Sequence, residues 1–161
     1  MISESSKQTV TQLCRDLIGE ESLSGQESQA VECMKSAFRA MQFSDILTDS
    51  YGSVVGCIHG NRPGPRILFD AHIDTVPVEG VQDWTHPPFA GEIADGKLYG
   101  RGASDMKGAL AAMTVAAAAF ANANNRDFAG SICVAAVVCE ELFEGLGARS
   151  VSEMVQPDFV I

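Results

Sequence analysis

Three short segments of this chain carry residues whose types suit metal or acid–base chemistry, in places where backbone geometry can gather them. In RILFDAHID, residues 66–74, strand alternation puts Asp70, His72 and Asp74 on one face and Ile67, Phe69, Ala71 and Ile73 on the other. A histidine followed two residues later by a carboxylate suits a metal-bound imidazole, which gives its second N–H to an acceptor that fixes the tautomer. In VVCEELFEG, residues 137–145, Glu140 and Glu141 close an apolar run, at the edge where open α/β sheets collect ligands. Adjacent residues of a regular strand face oppositely, so both glutamates reach one site only if the strand ends there. In YGRGASDMKGALAA, residues 99–112, Ser104 and Asp105 precede an alanine-rich helix. Either side chain can accept the orphan N–H groups of that helix as a cap.

Taken singly, these segments read as a polar strand end, a solvated strand terminus and a helix cap. Together they place a histidine and several carboxylates on loops that follow separate elements. Imidazole and glutamate suit zinc or a similar ion, and one carboxylate can bridge two cations. A spare glutamate beside such a pair can take a proton from a water molecule. Phosphate binding is a poor alternative, because the chain lacks G-x-x-x-x-G-K-[ST] and a carboxylate at the helix mouth repels phosphate.

The elements that must position these residues follow from periodicity. Val10, Leu13, Cys14, Leu17 and Ile18 recur at helical spacing, as do Ala30, Val31, Met34, Ala37, Phe38 and Met41. SLSGQES between them supplies a break and the next cap. DILTD and SVVGCIHG read as strands joined around Tyr51-Gly52, and NRPGPR reads as a turn-rich link into RILFDAHID. GEIADGKLYG predicts a hairpin turning at Asp95-Gly96. A third helix is predicted over residues 106–123, and SICVAAVVC reads as a strand covered on both faces. GLGARSVSEMV predicts another helix and PDFVI one more strand. The order predicts an α/β fold: a mixed, largely parallel sheet flanked by helices on both faces.

Bulk composition narrows the partners. At 161 residues and 46% hydrophobic, the chain has one domain's worth of globular material. Its 21 acidic against 11 basic residues, a formal charge of -10, exclude the basic face that nucleic acid or an anionic membrane requires. Residues 108–121 are apolar but too short and alanine-rich to span a bilayer. MISESSKQTV lacks the basic and apolar regions of a signal peptide. Five scattered cysteines without C-x-x-C spacing predict free thiols, with no disulfide framework, and a cytoplasmic protein. His59, Trp84 and His86 read as structural residues.

The motifs H-x-D-T-V-P (72–77), W-x-x-x-P-F (84–89), D-G-K-L-Y-G-R-G-A-S-D-M-K-G (95–108) and the later Glu140-Glu141 pair resemble one family. It is the metallopeptidase family of acetylornithine deacetylase, succinyl-diaminopimelate desuccinylase, aminoacylase and glutamate carboxypeptidase. The resemblance implies two divalent metal ions, zinc first, with cobalt or manganese as substitutes. It implies His72 as ligand of the first ion, Asp105 as the bridge and Glu141 as ligand of the second. Asp74 would orient the His72 imidazole and Glu140 would act as general base. A cis peptide between Asp105 and Met106 is implied as well. The expected reaction is hydrolysis of an amide in an N-acyl amino acid or small peptide, of deacetylase, desuccinylase or dipeptidase type.

In such relatives a strand like PDFVI precedes a further acidic ligand, a lid or dimerisation domain and a last histidine ligand. The resemblance therefore implies that residues 1–161 are the N-terminal part of the catalytic domain. The chain alone is then an inactive fragment of a parent that can dimerise through the lid. The competing expectation is a non-catalytic binding or regulatory relative that keeps the fold.

Overall fold

The computed structural model describes residues 3–161. Helix α1 (Glu4–Gly19) starts where the Ser3 hydroxyl accepts the Ser6 N–H at 3.0 Å, with Glu4 in its first turn. It buries Leu13, Cys14, Leu17 and Ile18, and α2 (Ser28–Ala40) buries Ala30, Val31, Met34 and Phe38. Strands β1 (Asp45–Thr48) and β2 (Val54–His59) follow, then β3 (Arg62–His72), the short β4 (Glu92–Ala94) and β5 (Lys97–Tyr99), and helix α3 (Gly108–Ala123). The chain then runs through β6 (Ala129–Val137), α4 (Leu146–Val155) and β7 (Phe159–Val160).

The main sheet has the order β1-β2-β6-β3-β7. β1 and β2 are antiparallel, as are β2 and β6, whereas β6-β3 and β3-β7 are parallel. It is thus an α/β fold with a mixed sheet, as the sequence pattern predicts. β6 lies at the centre, and its apolar run is covered on both faces. On one side α1, α2 and α3 enclose Val54, Ile58, Ala71, Val134 and Ala136. On the other, Val151 and Val155 of α4 cover Val55, Leu68, Ala135 and Val137. Residues 103–123 are long and apolar enough to cross a membrane by length and composition. Leu110, Ala111, Val115, Ala118 and Ala121 of this stretch are instead core residues.

The register of β3 with β6 sets up the site. His72 pairs with Val137, the last residue of β6, so the chain leaving β6 turns beside the imidazole. The predicted β4–β5 hairpin forms, with Asp95 and Gly96 both at positive φ (50° and 72°), as a two-residue primed turn requires.

Three expectations are corrected. NRPGPR is not merely a link: β3 begins at Arg62 and runs through both prolines, with an irregular register between Arg62 and Arg66. The third helix begins at Gly108, after a π-type turn over Ala103–Lys107, and no side chain caps it. Neither Ser104 nor Asp105 is therefore the cap that the local sequence suggests. Cys57 and Cys133, expected as free thiols, are joined by a disulfide. They are 76 residues apart in sequence but directly opposite in the β2–β6 register, a pairing that no local spacing reveals.

Candidate metal centre

The site lies at the C-terminal edge of β3 and β6, completed by the turn before α3. His72 ends β3, and its Nδ1 donates to the backbone carbonyl of Asp74 at 3.0 Å. That bond fixes the tautomer and turns Nε2 outward, 3.1 Å from Asp105 Oδ1 and 4.0 Å from Glu140 Oε2. One ligand atom each from His72, Asp105 and Glu141 lie within 4.8 Å of one another. Donor atoms gathered this closely suit the binding of divalent ions. Asp105 reaches this position from the π-type turn, through a cis Asp105-Met106 peptide as the resemblance implies. Its side chain is 80% exposed, with Oδ1 turned to His72.

Asp74 plays a broader part than orienting an imidazole. Its carboxylate is fully buried and lies 3.5 Å from His72 Nδ1. Oδ1 accepts the Glu140 N–H at 3.1 Å; Oδ2 accepts the Glu141 N–H at 3.0 Å and the Ser24 hydroxyl at 2.6 Å. One side chain thus ties the histidine strand, the glutamate turn and the α1–α2 loop together. Burial raises the Asp74 pKa, but the His72, Ser24 and backbone hydrogen bonds outweigh it and hold the carboxyl below its ordinary value.

The surrounding charge asks for cations. The Asp74 carboxylate, then Asp105, pushes His72 up to about 9 against the opposing effect of burial. Burial raises Glu141, with Asp105, Asp74 and Glu140 adding repulsion. Asp70, on the His72 face, is also raised by burial and then by Glu140, and its Oδ1 is buried without a hydrogen-bond partner among the described residues. The donor set, one oriented imidazole among carboxylates, fits a divalent ion of the zinc type.

A pH dependence follows. A metal must displace the proton that His72 holds up to about pH 9. Apparent zinc affinity, measured by competition titration, is expected to rise roughly tenfold per pH unit from 7 towards 9, then level off. The metal-free fold behaves oppositely. His72 has a raised folded pKa, so its pairing contributes fully below the unfolded value of 6.5 and fades through about 9.

Behind Asp105 sits Lys107, 1% exposed, whose Nζ donates to the carbonyls of Leu17 (2.8 Å) and Glu20 (2.9 Å). It satisfies the end of α1, and burial lowers it to about 8. Lys107→Met would take this donor from both carbonyls, leaving Leu17 only the Glu20 N–H at 3.3 Å, and is expected to cost about 2 kcal/mol. A lower urea midpoint at unchanged m-value checks this.

His59, His86 and Trp84 each meet other side chains of the fold. His59 lies between Asp45 (2.5 Å) and Ser131 (2.9 Å). His86 stacks on Tyr99 at 3.9 Å and meets Glu92 at 3.1 Å; Arg101 lies over Trp84 at 5.2 Å. Nothing local in the sequence points to Lys107, Ser24 or Glu27 in this neighbourhood. The Glu27 carboxylate accepts the Cys139 N–H at 2.9 Å.

Comparison with known proteins places these features among relatives. Residues 68–161 match Peptidase family M20/M25/M40. A succinyl-diaminopimelate desuccinylase of Wolbachia pipientis is 33% identical over 152 residues, covering 90% of this chain and 36% of the relative. The Bacillus subtilis YXEP protein, a dinuclear metal binding peptidase from the M20 family, superposes with a TM-score of 0.69 at 25% identity. That match covers 94% of this chain and 40% of the other. A metallo-carboxypeptidase of the same family from Sulfolobus solfataricus gives 0.74 at 20% identity, over 99% of this chain and 37% of that one. The chain thus spans well under half the length of each of these proteins.

Proposed function

This chain belongs to peptidase family M20/M25/M40, and we propose that it carries the metal-binding half of a two-metal amidohydrolase. The observation that carries the reading is the convergence of His72, Asp105 and Glu141 ligand atoms within 4.8 Å. Glu140 stands alongside, its carboxylate 4.0 Å from His72 Nε2. In this reading His72 and Asp105 hold one ion, Asp105 and Glu141 the other, most simply both zinc. Divalent ions, when bound, polarise a scissile carbonyl and lower the pKa of a water molecule.

The protein's own residues supply the rest. Asp74 fixes the imidazole and the backbone of both glutamates, so that reacting groups meet with little reorganisation. Glu140 takes a proton from the attacking water as general base and returns it to the leaving amine. The bond broken is the amide of an N-acyl amino acid, with an N-succinyl group the first candidate because the desuccinylase relative is similar over 90% of this chain. We further propose that residues 1–161 form the N-terminal part of the catalytic domain. The remaining ligands then come from sequence corresponding to the rest of the longer relatives, and the 161 residues alone do not turn over.

The test uses the full-length protein loaded with zinc, assayed on N-succinyl amino acids, N-acetyl amino acids and dipeptides. Hydrolysis of an N-acyl amino acid that a chelator abolishes and zinc restores is the expected result. No turnover of any of the three classes, or turnover indifferent to chelation, contradicts the proposal.

A further inference from the structure

We propose that Glu27 is a positioning residue of this site, setting the glutamate turn from 112 residues away in sequence. The consequence for metal rests on the reading above; the geometry does not. β6 ends at Val137, and the next four backbone N–H groups lose their strand partners. Each is taken by a side chain. Val138 donates to Ser53 Oγ at 3.3 Å, Cys139 to Glu27 Oε1 at 2.9 Å, and Glu140 and Glu141 to the two Asp74 oxygens. All three acceptor residues are buried, Glu27 at 5% exposure.

Two observations mark Glu27 within this set. Cys139 has φ 59°, in the left-handed region that a non-glycine residue keeps only where its surroundings hold it. The Glu27 bond goes to that residue, immediately before Glu140 and Glu141. Glu27 also occupies the N-cap position of α2 yet makes no capping hydrogen bond. A residue there ordinarily serves its own helix; this one spends its carboxylate on a distant turn. Asp74 holds the turn from the β3 side and Glu27 from the α2 side, so the two glutamate side chains depart from a backbone gripped at both ends.

The test compares wild type with Glu27→Ala and Glu27→Gln, which keeps a carbonyl acceptor of the same shape. Amide hydrogen exchange is read at residues 138–141, and cobalt(II) absorbance reports metal affinity. Glu27→Ala is expected to speed exchange at Cys139 at least about tenfold and to weaken cobalt binding about 10–100-fold, the loss typical of removing a group that orients a ligand. Glu27→Gln is expected to restore most of both. Unchanged exchange at Cys139 in a folded Glu27→Ala protein overturns the proposal. Should that variant not fold, unprotected exchange at Cys139 in wild type overturns it equally. If wild type takes up no cobalt while Cys139 shows the expected exchange, the metal reading fails and the positioning role stands.

Discussion

Glu140→Gln in the full-length, zinc-loaded protein is expected to lower kcat by about 10²–10⁴-fold, the share general acid–base catalysis usually supplies. Metal content and KM are expected to stay near wild type. The separation follows from where each part of the residue is engaged. The backbone N–H is held by Asp74 Oδ1 at 3.1 Å, and a change of side chain leaves that bond in place. The glutamine has the same shape but cannot take a proton. His72, Asp105 and Glu141, the atoms that converge within 4.8 Å, are untouched. A variant retaining kcat within a few-fold of wild type would remove Glu140 from the chemistry. A loss of zinc together with rate would make it a ligand instead.

Asp105→Ala is expected to produce the largest loss of metal, well beyond the roughly 100-fold typical when only an outer partner is removed. Asp105 is the carboxylate assigned to both ions, so its removal opens two coordination spheres. Folding should be nearly untouched, because the side chain is 80% exposed and, among the described residues, its one side-chain hydrogen bond is to His72 Nε2. Surface substitutions of this sort usually change stability by no more than about 0.5 kcal/mol. The His72 pKa should fall as well, since Asp105 is one of the groups raising it. Zinc titration, urea unfolding and an NMR titration of His72 read these effects independently. Wild-type zinc affinity in Asp105→Ala would refute the bridging role.

The candidate residues were legible because segments that are weak singly combine into one pattern of a histidine and carboxylates at element ends. Strand alternation set His72 beside two carboxylates and opposite Ala71 and Ile73, which do enter the core on the other face. The long apolar run ending at Glu140 announced a buried central strand and its edge. What holds these residues was not legible, since it arises from contacts far apart in sequence. Glu27 lies in the segment read as a break and cap before α2, whereas its partner is Cys139, just past the end of β6. Lys107 looks like a polar residue at a helix start, whereas the α1–α3 packing buries it against the carbonyls of Leu17 and Glu20. Cys57 and Cys133 meet only because β2 pairs with β6 in that register. Local capping logic also misled at Ser104 and Asp105, where the π-type turn carries the carboxylate away from the helix to face His72.

The central claim is that the Asp105 carboxylate stands between two metal ions, one also held by His72 and the other by Glu141. Anomalous diffraction at the zinc edge from crystals of the full-length, zinc-loaded protein reads this directly. Two peaks flanking Asp105, one beside His72 Nε2 and one beside the Glu141 carboxylate, are the predicted result. A single peak away from Asp105, or zinc bound elsewhere with this cluster empty, would contradict it.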